Sequence, residues 1–346
     1  MPKRAAIAGV CLLGLALFAV ALYYRPPAAA LDDFLPTYRA SRLLGSPDMF
    51  AQTSLHAQGH MYLRTPFYAW LLHPLGALDY ALAYRLWMVL MVAAFALSAW
   101  LWPGTRWKIV VAMCWSFPVL SAIGIGQDTA LMMLSVAVAA RLWMGGREFA
   151  AGLVASVVAC KISFLLPVGL VFLLRSRRGL GGLAAGAALQ CAISLAVQGP
   201  AWIPEYLAAV RSPWLDHFPA RMPSVRALLS GAPFMAASVA IYGWLVWVVR
   251  RISPAQALTV ALPLAVVAAP HCYSYDMAVA VPLLAGVAST RTARGMLALA
   301  ALTPAPYLFM ALAHPHPAGA AILVAAVLAS STVVAATAPN AASGAG

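Results

Sequence analysis

The sequence predicts an all-α, polytopic transmembrane bundle of about 10–12 membrane helices, on three observations. Hydrophobic residues make up 64% and charged residues 9% of the 346 positions, against roughly 45–50% and about 25% in an ordinary soluble domain. The mean hydropathy is +0.87. The basic residues fall as short clusters between apolar runs: Lys3-Arg4, Arg106 with Lys108, Arg141 with Arg147, Arg175 with Arg177 and Arg178, Arg250-Arg251, and Arg291 with Arg294. Clusters of this kind separate spans and mark the cytoplasmic side. A formal net charge of +13 distributed in this way argues against a nucleic-acid binder, and spans with their loops leave no room for a sizeable soluble domain.

The spans follow in order from the N-terminus. The apolar run Ala5–Leu22 behind Lys3-Arg4 is long for a signal peptide, and Tyr23-Tyr24-Arg25-Pro26-Pro27 is a poor small-residue cleavage site. The run is therefore read as an uncleaved first span, about 5–24. An outer segment from Arg25 to about Asp79 contains an amphipathic stretch, Asp33 to Leu44, with an acid at its start and apolar residues at helical spacing. Spans at about 80–102, 109–125 and 129–144 lead in turn to Arg106 and Lys108, to Gly126-Gln127-Asp128, and to Arg147-Glu148.

From Arg147 to Arg175 both ends carry the cytoplasmic signature, and one span cannot begin and end on the same side. Two half-helices broken near Lys161-Ile162-Ser163 resolve this, since irregular backbone at membrane depth is tolerated where protein surrounds it. A single span with one misplaced basic cluster is the alternative. A Gly/Ala-rich span at about 180–197 then exits to an outer loop, Gly199 to about Leu229. Its Trp202, Glu205, Arg211, Trp214, Asp216, His217, Arg221 and Arg226 read as interfacial helices and turns. Spans at about 231–249, 255–270, 277–290, 295–313 and 318–337 complete one domain, residues 1–337, before an uncharged tail, 338–346, read as disordered.

This topology places 13 of the 22 basic residues and one of the nine acids inside, eight of each outside, and Lys161 between. Eight of nine acids thus face outward, so a site that uses carboxylates is expected on the extracytoplasmic side. Asp32 and Asp33 stand out, because an acid near lipid is costly unless it is paired or faces a water-filled cavity. Either one can equally cap the helix that follows. Lys161, assigned near mid-membrane, is either functional or snorkels to the cytoplasmic face. His271 lies at the outer end of a span beside Pro270, where an imidazole can meet a lipid headgroup or simply sit at the interface. Gln127 and Asp128 can bind sugar hydroxyls or cap a helix, and the same choice holds for Tyr275-Asp276. The five cysteines are odd in number and mostly within apolar runs, which reads as packing. His56, His60, His73, His314 and His316 show no metal-ligand spacing.

Asp33-Phe34, Tyr38-Arg39-Ala40 and Leu43-Leu44-Gly45 after a first span resemble the opening of glycosyltransferase family 87. Arg64-Thr65-Pro66-Phe67-Tyr68 is similar to the family's aromatic-x-Pro-Pro block, with only the second proline present. Gly126-Gln127, Ala151-Gly152-Leu153 with Lys161, and Pro270-His271 with Tyr275-Asp276 resemble further elements of that family in the same order; Ile162 replaces a proline after the lysine, and Met222-Pro223-Ser224 lacks an asparagine before the serine.

The resemblance implies a GT-C fold and the activity of polyprenol-phosphate-mannose-dependent mannosyltransferases. It also implies an inverting displacement that needs no metal or cofactor. On this reading Asp33 is the base and Asp32 its helper. His271, Arg64, Lys161 and Arg39 are candidates for the donor phosphate, and Gln127, Asp128, Tyr38, Tyr275 and Asp276 for the sugar or acceptor. The partners expected are a polyprenyl-phosphate-sugar donor carrying mannose or arabinose, a glycolipid or glycan acceptor, and the bilayer of the cytoplasmic membrane, with no nucleic acid. A transporter or flippase of lipid-linked substrates, or a non-catalytic scaffold of the same fold, are the competing classes.

Overall fold

The computed structural model describes residues 33–50, 62–103, 106–211, 219–312 and 314–337. The expected first span, Asp32, His56, His60, Trp214, Asp216, His217 and the C-terminal tail lie outside the described residues. The described chain is an all-α membrane bundle. Among the described residues four helices are long and apolar enough to cross a membrane: α3 (Tyr80–Leu101), α9 (Arg177–Gln198), α11 (Gly231–Val249) and α16 (Ala318–Thr337). The bent pair α4 (Arg106–Trp115) and α5 (Phe117–Gly124) makes a fifth when counted as one broken span.

The outer segment is built on aromatic contacts. Helix α1 (Phe34–Arg42) buries Phe34, Leu35, Tyr38 and Ser41, one stripe at helical spacing. Phe34 stacks on Trp87 at 5.1 Å between ring centroids, and Tyr38 meets Tyr80 edge-on at 5.1 Å. Tyr80, Tyr84 and Trp87 form the matching stripe on α3. The short helix α2 (Pro66–Leu71) starts where Pro66, in its first turn, lacks the amide that a helix start leaves unpaired anyway.

Three expected spans are less regular than an apolar run suggests. The span at 109–125 bends by 57° between α4 and α5, at Ser116, whose backbone is extended, with Pro118 in the next turn. The span at 277–290 opens as a 3₁₀ helix, Ser274–Ala280, before α13 (Val281–Ala288), again with a proline in its first turn. The span at 295–313 breaks between α14 (Ala293–Leu302) and α15 (Ala305–Ala311). Thr303 there is extended because a residue before proline is pushed out of the helical region. Helix α12 (Pro254–Ala268) buries most of its residues on all sides, as the central post of a bundle must. It packs against α6 (Thr129–Met144), α8 (Ile162–Arg175), α11 and α16.

Residues 148–175 form the broken pair. Helix α7 (Glu148–Ala155) runs into a 3₁₀ turn, Ser156–Cys160; Lys161 is extended; and α8 leads away. Both outer ends of this pair lie together. Ser176, just past α8, donates a hydrogen bond to Glu148 at the start of α7 at 2.6 Å, and Phe172 stacks on Trp143 of α6 at 4.6 Å. The segment therefore enters and leaves on one side, with Lys161 at its tip. Helix α9 lies alongside and supplies Gln190, whose amide donates to the Ser156 carbonyl at 2.8 Å and accepts from Cys160 at 3.4 Å. These bonds occupy the polar groups of the irregular turn.

Candidate functional site

The geometry starts from one turn. Helix α5 ends in a Schellman motif: the Gln127 amide donates to the Ala122 carbonyl at 2.8 Å and the Gly126 amide to Ile123 at 3.0 Å. Gly126 sits at φ +75°, a conformation open to glycine. Two neighbours clamp the turn. The Trp87 indole donates to the Gly126 carbonyl at 2.7 Å, and the Asp33 amide donates to the Ile125 carbonyl at 2.8 Å. This fixes Asp33 beside Gln127, and the Gln127 side-chain amide donates to the Asp33 carboxylate.

Asp128 follows in the chain and takes the Arg64 guanidinium in a two-pronged pair, Nε at 2.7 Å and Nη2 at 3.0 Å. The third guanidinium nitrogen, Nη1, donates to the Leu63 carbonyl at 3.1 Å. Burial opposes ionisation of Asp128, but Arg64, and Lys161 beyond it, hold its carboxyl below the usual carboxylate range. A second pair joins Lys161, at the hairpin tip, to Asp276 in the 3₁₀ helix. Asp276 also accepts from the Tyr273 amide at 3.0 Å, and the Lys161 ammonium lies over the Tyr275 ring at 5.7 Å. Asp33 and Asp276 both act electrostatically on Tyr275, and Asp276 on Arg64, so the three contacts belong to one cluster.

Segments around residues 33, 64, 127, 161 and 276 thus bring three carboxylates and two cations together. Neither the Asp33 nor the Asp128 side chain caps its helix. Asp276 does double duty, holding the start of its helix and the lysine. His271 stands five residues before it, half-buried, with its ring edge-on to Tyr273 at 4.9 Å. Tyr38 is occupied elsewhere. Its hydroxyl donates to the Leu78 carbonyl at 2.7 Å and accepts from Arg42 at 3.1 Å, tying α1 to the turn before α3. Arg39 has one guanidinium nitrogen, Nη1, buried without a hydrogen-bond partner. Arg211 is exposed at the end of α10 (Trp202–Val210). Among the described residues no group of three or more His, Cys, Asp or Glu could hold a metal ion.

Sequence reading did not single out Tyr62, Tyr68 or Tyr273. Tyr62 and Tyr68 flank Arg64 in the chain and both are buried against the Arg64–Asp128 pair. The local signal is Pro66, which starts the short helix that carries Tyr68. Tyr273 lies between the Pro270-His271 and Tyr275-Asp276 elements.

A multi-pass helical bundle with paired acids and bases buried where irregular segments meet is the class that the fold and cluster define. The sequence profile of glycosyltransferase family 87 matches residues 62–270, and the chain belongs to that family. The matched stretch holds Arg64, Gln127, Asp128 and Lys161, while Asp33, His271, Tyr275 and Asp276 fall outside it. No curated protein and no solved structure matches the chain.

Proposed function

We propose that this chain is an integral-membrane glycosyltransferase that moves mannose or arabinose from a polyprenyl-phosphate donor to a glycolipid or glycan acceptor on the extracytoplasmic face, with Asp33 as general base. The observation that carries the reading is the Asp33 carboxylate, which does not cap its helix and is held by the neutral amide of Gln127 beside two ion pairs, Arg64–Asp128 and Lys161–Asp276. A carboxylate held in this way can accept a proton. The acceptor oxygen bonds to the anomeric carbon of the sugar as its proton passes to Asp33. The bond from that carbon to the phosphate oxygen breaks, and its electron pair leaves with the polyprenyl phosphate.

Lys161, His271 and Arg39 are the cations proposed to receive the phosphate. Arg64 is better read as the anchor of Asp128, because all three of its nitrogens already have acceptors. Gln127, Asp128, Tyr275 and Asp276 line the sugar and acceptor side, Tyr38 supports α1 beneath it, and Asp32 is the neighbour that helps position the acceptor. The extracytoplasmic assignment rests on the basic clusters, which the positive-inside rule puts in the cytoplasm and which leave the acid-bearing span ends outside. General-base catalysis contributes about 10²–10⁴-fold, so Asp33→Asn should lower sugar transfer in membranes at least about 100-fold while protein level and unfolding temperature stay at wild-type values. Activity close to wild type would remove Asp33 from the mechanism. Flux of a lipid-linked sugar across proteoliposomes without its consumption would replace the enzyme by a transporter.

A further inference from the structure

Several buried tyrosines in this fold give their hydroxyl proton to a backbone carbonyl: Tyr38 to Leu78 at 2.7 Å, Tyr62 to Thr65 at 2.8 Å, Tyr307 to Ala301 at 3.0 Å. Tyr68 does not. It is 1% exposed, and its hydroxyl is buried without a hydrogen-bond partner. The hydroxyl lies against the Arg64–Asp128 pair, near enough to help hold the Asp128 carboxyl down, yet it makes no hydrogen bond of ordinary length and angle. Thr65, between Arg64 and Pro66, has a second buried hydroxyl without a partner. A polar group desolvated and left unpaired destabilises the fold, so its retention beside a buried ion pair points to a ligand that completes the bond.

We propose that Tyr68 is a binding residue whose hydroxyl, together with Asp128, receives a hydroxyl group of the transferred sugar. The chemistry of the pair selects that ligand. Asp128 is ionised and only accepts hydrogen bonds, and each of its oxygens keeps a lone pair beyond the bond to Arg64. The phenol of Tyr68 can donate. A sugar hydroxyl gives its proton to the carboxylate and accepts from the phenol, which satisfies both. A phosphate oxygen can only accept, and it would meet the Asp128 charge directly. The inference rests on the glycosyltransferase reading for the identity of the ligand, and on the geometry alone for the unpaired hydroxyl.

The test uses the full chain, purified in detergent, with a polyprenyl-phosphate-linked mannose and the same polyprenyl phosphate without sugar as probes. Tyr68→Phe removes the hydroxyl and keeps the ring, so it should unfold at the wild-type temperature or above. It should bind the sugar-free lipid like wild type and the sugar-bearing lipid roughly tenfold more weakly, the effect of one neutral hydrogen bond. A drop of several degrees in unfolding temperature would show that the hydroxyl has a structural partner and would overturn the proposal. So would wild-type affinity for both lipids, while an equal loss for both lipids would overturn the sugar contact and reassign Tyr68 to the phosphate they share. If wild type binds neither lipid, the polyprenyl donor and this role of Tyr68 fall together, whereas binding of both lipids unchanged by Tyr68→Phe removes the role of Tyr68 alone.

Discussion

The Arg64–Asp128 pair is the clearest case in which the environment of a residue, and not its type, decides what it does. A buried pair adds little over an apolar substitute, but removing one partner leaves an uncompensated charge and costs about 3–5 kcal/mol. Arg64→Met should therefore destabilise the protein by that order, and Arg64→Met with Asp128→Asn should recover most of the loss in thermal or denaturant unfolding. An equal loss in both variants would mean that packing, not charge, matters there. The pair also sets a pH dependence. The folded carboxyl is depressed, so its contribution is present in full above the unfolded value of about 3.9 and is lost as pH falls through the lower folded value. The gap between wild type and Asp128→Asn should stay constant above about pH 5 and close below about pH 4. The sequence made both residues visible as rare charges in an apolar chain. Their partnership was not legible, because residues 64 and 128 meet only once the α5 turn and the segment before α2 are folded. Asp128 looked like a helix cap for the same reason.

At the scale of elements, the half-helix pair was legible and the bends were not. Arg147 and Arg175 on one side of the membrane forced a reversal between them, which is an argument from charge and needs no packing. The breaks at Ser116 and Thr303 carried a local signal in Pro118 and Pro304, but an apolar run reads as one span whatever its backbone does. The packing that holds the hairpin was hidden in a composition read only as Gly/Ala-rich. A β-carbon on Gly152 of α7 would overlap the Gly179 carbonyl of α9, and one on Gly182 of α9 would overlap the Phe149 carbonyl of α7. The two helices are therefore in backbone contact, the kind of approach that small residues permit in membranes. Gly152→Ala should destabilise by about 1–3 kcal/mol, as overpacking does. Gly181→Ala, one residue from Gly182 but facing open space, should be neutral or stabilising by about 0.5–1 kcal/mol through helix propensity. Equal unfolding midpoints for the two variants would mean that α7 and α9 do not touch this closely.

Over the whole molecule the two poles differ in chemistry. One holds Asp33, Asp128, Asp276 and their partners. The other holds the basic clusters at the base of the hairpin, where Ser176 meets Glu148 and Arg175 reaches the Arg250 carbonyl at 3.5 Å. Charge counting separates these poles from sequence because the positive-inside bias acts on loops one at a time. It does not assemble the cluster, whose five segments are brought together by tertiary contacts. The sidedness is open to direct measurement in a cysteine-free background. Arg147, Arg178 and Ala201 are exposed, the first two at the starts of α7 and α9 and the third past the far end of α9. If α9 crosses the membrane and the hairpin returns to the side it entered, Arg147→Cys and Arg178→Cys should react with a membrane-impermeant maleimide only after permeabilisation, and Ala201→Cys should react in intact cells. Opposite sidedness of 147 and 178 would make 148–175 a full crossing and remove Lys161 from the tip of a hairpin. Inversion of all three would keep the hairpin and move the carboxylate cluster to the cytoplasmic face, where an extracytoplasmic polyprenyl-phosphate donor could not reach it.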